Sequence, residues 1–167
     1  MVNESTLLNA LRERILVFDG AMGTNIHRRE LSLRDYDGHE NCIEILNLTR
    51  TDVILDIHRS FLAVACDAVQ TNTFGGSKLV LGEFGLGGQT YEINKRGAEI
   101  ARQAVNEFMR LSPTSGTSFV RPRWVIGSIG PGTRLPSLLQ TSWNELVGSY
   151  LEQSRGLLDG GADALLI

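Results

Sequence analysis

The sequence predicts an α/β chain of parallel strands alternating with helices, and three observations point to it. Short apolar, β-rich runs end in glycine-rich turns at residues 15–18, 68–71 and 124–129, and a fourth run opens at 164–167. Amphipathic helical patterns fill the gaps between them. Two of the runs are entered by the same tight turn, Cys66-Asp67-Ala68-Val69 and Ala162-Asp163-Ala164-Leu165, a weak internal repeat. The order β-α-β-α-β-α-β belongs to a parallel sheet. By pattern alone it fits a small doubly wound sheet or part of a (β/α)8 barrel. A whole barrel takes about 250 residues, so a chain of 167 supplies roughly four of its strands.

Along the chain, residues 5–14 form a short helix, with Ser5 or Thr6 as N-cap and Leu7, Leu8 and Leu11 on one face. The first strand, 15–18, ends at Asp19. Residues 25–48 are polar and irregular and read as one long loop. Thr49 or Thr51 caps the next helix, with Asp52 in its first turn and Ile54, Ile57, Phe61, Val64 and Ala65 as its apolar stripe. The second strand runs into Asn72-Thr73-Phe74-Gly75-Gly76. A glycine-rich stretch, 82–88, precedes a long helix over 90–109 whose face is Ile93, Gly97, Ile100, Ala101, Ala104, Val105 and Phe108. Residues 112–122 read as an exposed loop. After the third strand and Gly130-Pro131-Gly132, Ser142 caps a helix carrying Leu146, Val147, Tyr150, Leu151, Leu157 and Leu158, which Gly160-Gly161 ends.

The charge balance gives no case for nucleic acid: 16 basic against 19 acidic residues, net −3, with the basic ones scattered. No apolar run approaches the roughly 20 residues that span a bilayer, and the first residues lack the basic start and apolar stretch of a signal peptide. The two cysteines, Cys42 and Cys66, show no disulfide spacing. These features together read as a cytoplasmic, reduced protein with an apolar fraction, 42%, sufficient for a core.

Three strand ends carry chemistry: Asp19-Gly20-Ala21-Met22-Gly23-Thr24, Thr71-Asn72-Thr73-Phe74-Gly75-Gly76 and Gly127-Ser128-Ile129-Gly130-Pro131-Gly132. In a parallel sheet all three open on one rim. They offer one carboxylate, several hydroxyls and amides, and bare backbone N–H groups, a set that suits a small zwitterion. On spacing alone, the glycines equally well serve as tight turns. Gly20-x-x-Gly23 is not a dinucleotide fingerprint, because a third glycine and a helix opening directly after it are missing. His27, His39 and His58 are dispersed, His58 beside a helix stripe as a packing or surface residue, and Trp124 and Trp143 pack. Cys66, before the second strand, belongs to the rim opposite the strand C-termini, and Cys42 to the long loop, so a shared metal site is not expected.

The segments 15–24, 67–74 and 127–131, in this order and spacing, resemble the homocysteine S-methyltransferase family. That family includes the N-terminal homocysteine-binding domain of cobalamin-dependent methionine synthases and the betaine– and S-methylmethionine–homocysteine methyltransferases. The resemblance implies a (β/α)8 barrel, of which residues 1–167 are the first half, a single partial domain ending before the zinc-ligand half. It implies homocysteine as substrate, methylated to methionine, with zinc on three cysteines holding the thiolate. The methyl group comes from methylcobalamin, recharged by methyltetrahydrofolate on other domains. Asp19, with the backbone of Gly20, Ala21 and Met22, would hold the amino-acid end of homocysteine, and Thr71, Asn72, Thr73 and Phe74 would line the same pocket. Neither Cys42 nor Cys66 matches a zinc ligand, so no zinc or cobalamin is expected on these residues and no catalytic residue is assigned to them. A half barrel with open edges is also expected to pair with itself or a partner.

Overall fold

The computed structural model describes residues 5–111 and 121–167; of Ser5 and Thr6 only the backbone is described, so their capping role and most of the 112–122 loop lie outside it. The elements are α1 (Ser5–Glu13), α2 (Met22–His27), a 3-10 turn at Ile43–Ile45, α3 (Leu46–Thr49), α4 (Thr51–Ala63), β1 (Ala68–Gln70), α5 (Lys78–Glu83), α6 (Thr90–Leu111), β2 (Trp124–Ser128), α7 (Trp143–Asp159) and β3 (Ala164–Leu166). Among the described residues the sheet is parallel and three-stranded in the order β1-β2-β3, with Ala68 opposite Trp124 and Ile126 opposite Ala164. The first expected strand is reduced to one parallel bridge, Phe18 to Ala68. It lies at the edge with Ile15 and Val17 exposed, so only one side of its backbone is paired.

Side chains alternate across this sheet. Val69 and Val125 face Leu62 of α4, Ala98, Ala101 and Ala104 of α6, and Leu157 of α7, which form the main core. Ala68, Trp124 and Ile126 face the other way, against Leu7 and Ala10 of α1. The repeated αβ turn has a mechanical role. Asp67 N donates to Val17 O at 2.7 Å and Asp67 Oδ2 accepts from Val17 N at 3.0 Å; Asp163 makes the same pair with Val125, both at 2.8 Å. Each aspartate therefore clasps the start of the preceding strand. Each is also held by an arginine, Arg14 on Asp67 at 2.8 Å and Arg102 on Asp163 at 2.6 Å. The Arg14 guanidinium keeps the Asp67 carboxyl down at about 2.

Several local expectations change. The 25–48 region is not one loop: α2 opens directly within the first glycine motif, and α3 and its 3-10 turn bury Ile45, Leu46 and Asn47. The 82–88 stretch likewise begins inside a helix, α5, capped by Ser77. Helix α4 starts after Arg50 with no side-chain cap, so neither threonine caps it. It stops at Ala63, and Ala65 turns to φ 66°, which throws Val64 and Ala65 out to solvent. Ser142 does cap α7, in a capping box with Glu145, and Gly160 ends it. The face α7 buries, however, is Ser149, Gln153, Gly156 and Leu157. Trp143, Val147, Leu151 and Leu158 lie exposed on its outer side, and Trp143, expected to pack, is 69% exposed.

Candidate functional site

The C-terminal ends of the strands surround a cleft of about 290 Å³ lined by Asp19, Gly20, Ala21, Met22, Gly23, Ile43, Gln70, Thr71, Asn72, Thr73, Phe74 and Ser128. All eight residues named from the sequence are among them. The sequence reading missed Gly23, Ile43, Gln70 and Ser128 as lining, Gly23 standing in the first motif without a role of its own. Gln70 was hidden inside a strand, Ile43 inside the supposed loop, and Ser128 was quoted in the third motif without a role. A larger depression, about 700 Å³, runs along the outer face of α6 between Glu99 and Arg110, but it collects side chains of one helix and no strand end.

The first wall is a strand-to-helix turn. Asp19 N donates to Ala68 O at 3.0 Å, and Asp19 Oδ1 accepts from Gln70 N at 2.9 Å, so this carboxylate staples the edge segment to β1. Its side chain is 4% exposed. Burial pushes its pKa up to about 6, against the pull of the Gln70 hydrogen bonds. Ala21 then takes φ 53°, ψ 40°, and α2 begins with no side-chain cap. The first N–H groups of a helix have no partners within it, so this turn presents uncapped donors beside a carboxylate.

The second wall is rigid, and its polar side chains are mostly committed inward. Asn72 is 2% exposed; its Nδ2 donates to Ile43 O at 2.8 Å and Asn47 Oδ1 at 3.1 Å. Asn47 Nδ2 donates back to Asn72 O at 2.9 Å and to Ile93 O of α6 at 3.2 Å. The Thr71 and Thr73 hydroxyls bond each other; Thr73 Oγ1 donates to Ser128 O and Thr71 Oγ1 accepts from Ser128 N. Gln153 of α7 donates to Thr73 O at 2.8 Å, and Glu44 accepts from Gly75 N at 2.7 Å. The threonines and the asparagine thus shape the wall, while Phe74, 62% exposed, stands over the opening. The third motif is docked on the second: Gly130 N donates to Phe74 O at 2.9 Å, and Tyr150 OH donates to Gly130 O at 3.1 Å.

Beneath the first wall lies His58, fully buried, with Nδ1 3.9 Å from Asp19 Oδ2. Burial lowers its pKa to about 4, so the ring is neutral at physiological pH. Of the two places the sequence allows His58, surface or packing, the structure gives the buried one and adds Asp19 as its neighbour. The signal for burial was present, since 54, 58 and 62 share one i, i+4 line of a helix.

The cysteines do not fit a zinc site. Both are buried and free, and burial pushes both thiols up to about 11. Among the described residues no group of three or more His, Cys, Asp or Glu could hold a metal ion. Cys66 precedes β1 and does not line the cleft; burial first, and the Asp19 carboxylate second, raise its thiol. Among the described residues no helix is long and apolar enough to cross a membrane.

A family model described as homocysteine S-methyltransferase matches residues 16–167. The chain is 42% identical over 164 residues to methionine synthase of Mycobacterium tuberculosis and, to the same extent, to that of Mycobacterium leprae; the match takes in 98% of this chain and 13% of each of those proteins. The chain therefore spans a small part of the curated relatives it matches. Crystal structures of Escherichia coli homocysteine methyltransferase MmuM, in oxidised and metallated forms, share the fold with TM-scores of 0.70 and 0.71 at 22% and 21% identity, over 95% of this chain and 55% of theirs.

Proposed function

The chain belongs to the homocysteine S-methyltransferase family, and on that footing we propose that its cleft holds the amino-acid end of homocysteine for methylation to methionine. The observation that carries this reading is that Asp19–Met22 and Thr71–Phe74, from two strand ends 52 residues apart in sequence, line one cleft. Asp19 supplies the negative partner for an ammonium. The uncapped start of α2 supplies N–H donors for a carboxylate. Phe74 and Ile43 offer apolar surface to the thioalkyl arm. In this reading residues 1–167 form the first half of a (β/α)8 barrel. Support comes from the sequential parallel strand order and from coverage of 55% of the MmuM chains. Zinc, methylcobalamin and methyltetrahydrofolate then belong to other parts of a longer protein, and this unit contributes substrate positioning alone.

Calorimetric titration with homocysteine, methionine and inorganic phosphate tests the assignment. Homocysteine is expected to bind, and Asp19→Asn to weaken it by on the order of tenfold or more. The Asp19 carboxyl titrates near 6, and only its ionised form pairs with an ammonium. Affinity should therefore rise as pH increases through about 6 and level off above 7. Preference for phosphate, or affinity indifferent to Asp19→Asn, would overturn the reading.

A second reading, self-association, is favoured by the exposed apolar side chains Trp143, Val147, Leu151 and Leu158 of α7 and by the exposed Leu166 and Ile167. Light scattering at micromolar concentration should then report twice the monomer mass. A monomer at that concentration excludes it.

A further inference from the structure

His58 has two ring nitrogens, both buried, and neither has a hydrogen-bond partner. A neutral imidazole always carries one N–H, so the structure holds a donor with nothing to donate to, in a setting where nearly all buried polar groups are paired. The nearest ionisable oxygen is Asp19 Oδ2, 3.9 Å from Nδ1. That is too long for a hydrogen bond, but a shift of about 1 Å would make one. Asp19 is followed by Gly20, around which there is open space. Its other oxygen is already anchored by Gln70 N.

We propose that His58 is a positioning residue for Asp19, its Nδ1–H closing onto Oδ2 as the second donor to the carboxylate when that group is ionised. The neutral ring suits the role. It adds a hydrogen bond without a charge, so Asp19 stays available to a cation in the cleft, which a protonated imidazolium would oppose. The other ionisable groups on this side are committed elsewhere. Asp67 is held by Arg14 at 2.8 Å and Arg123 at 3.7 Å, and burial keeps the Cys66 thiol protonated. On the elements packed against α4, Glu107 of α6 pairs with Arg59 at 2.7 Å, and His27 of α2 is exposed.

The role of Asp19 toward a ligand rests on the homocysteine reading; the His58–Asp19 contact does not, and the test separates them. In the ligand-free 167-residue chain, nitrogen-15 spectra of His58 between pH 7 and 8 should show the Nδ1–H tautomer. The Nε2–H tautomer would overturn the proposal, with no variant required. Carbon-13 titration of the Asp19 carboxyl then compares His58→Phe, which fills the ring volume without a donor, with His58→Asn, whose side-chain N–H₂ sits near the place of Nδ1. The expected result is an Asp19 pKa raised by about one unit, tenfold in proton affinity, in His58→Phe and nearly restored in His58→Asn. An unchanged titration in folded His58→Phe shows a mere core filler and overturns the proposal. If the native chain binds homocysteine, affinity near pH 6 should fall several-fold in His58→Phe and recover in His58→Asn. If the native chain does not bind it, the homocysteine reading fails while the tautomer and carboxyl results still decide the contact.

Discussion

Gly156→Val is expected to destabilise the fold by about 3 kcal/mol, lowering the thermal midpoint by roughly 6–12 °C for a chain of this size. Helix α7 rests directly on α6 at this point: a Cβ at Gly156 would lie 2.5 Å from Tyr91 O and 3.1 Å from both Asn94 Cβ and Lys95 N. The obstacles are mainly backbone, so no rotamer change relieves them. One turn on, a Cβ at Gly160 would collide with Lys95 O as well. The two helices would have to separate, and Gln153, between these contacts and the cleft, would be pulled from Thr73 O. The control lies on the same helix. A Cβ at Gly148 meets nothing, so Gly148→Ala should stabilise by about 0.5–1 kcal/mol through helix propensity alone. Thermal unfolding of both variants measures the difference, and equal midpoints would refute the close packing.

Asn47→Leu is expected to cost about 3 kcal/mol and to loosen the second wall of the cleft. The side chain is wholly buried and serves Asn72 O, Ile93 O and Asn72 Nδ2 at once. Leucine keeps much of the volume but strips Asn72 O of its buried donor and leaves the Asn72 amide with Ile43 O alone. The site is built around this amide: a Cβ at Gly97 would lie 2.7 Å from Asn47 Nδ2 and 2.8 Å from Thr73 Cγ2. Urea unfolding gives the stability change. Amide hydrogen exchange at residues 72–76 should speed up more than at the β2 core, since those residues lose the Asn47 tether to α3. A uniform increase across the sheet would mean that Asn47 supports the fold but not the wall in particular.

What could be read from the sequence was whatever short-range chemistry dictates. An apolar run that stops at Asp19-Gly20, and another that stops at Thr71-Asn72, mark strand ends because few other local structures tolerate that change of character. The aspartates of the αβ repeat stood out for the same reason. The face of α7 could not be read this way, because apolar content and burial part company there. Its contact with α6 needs small residues where backbones meet and a buried amide where it reaches Thr73, so Ser149, Gln153 and Gly156 are covered while Val147 and Leu151 are not. Helix α2 escaped because six residues without a side-chain cap leave no periodic trace. The threonine hydroxyls and the Asn72 amide looked like ligand groups on composition; only the fold shows that they are spent on one another and on the backbone.

The aspartate clasps carry a consequence for how the polypeptide acquires its shape. The edge segment at Val17 and strand β2 are each gripped by an aspartate, Asp67 and Asp163, that arrives only after the intervening helices have been made. Strand order in space follows order of synthesis. On a ribosome, a nascent β-α layer would thus be latched by the layer that follows it. The clasps span 50 and 38 residues, so each waits for a long segment to close, and the sheet grows stepwise but slowly as its layers emerge.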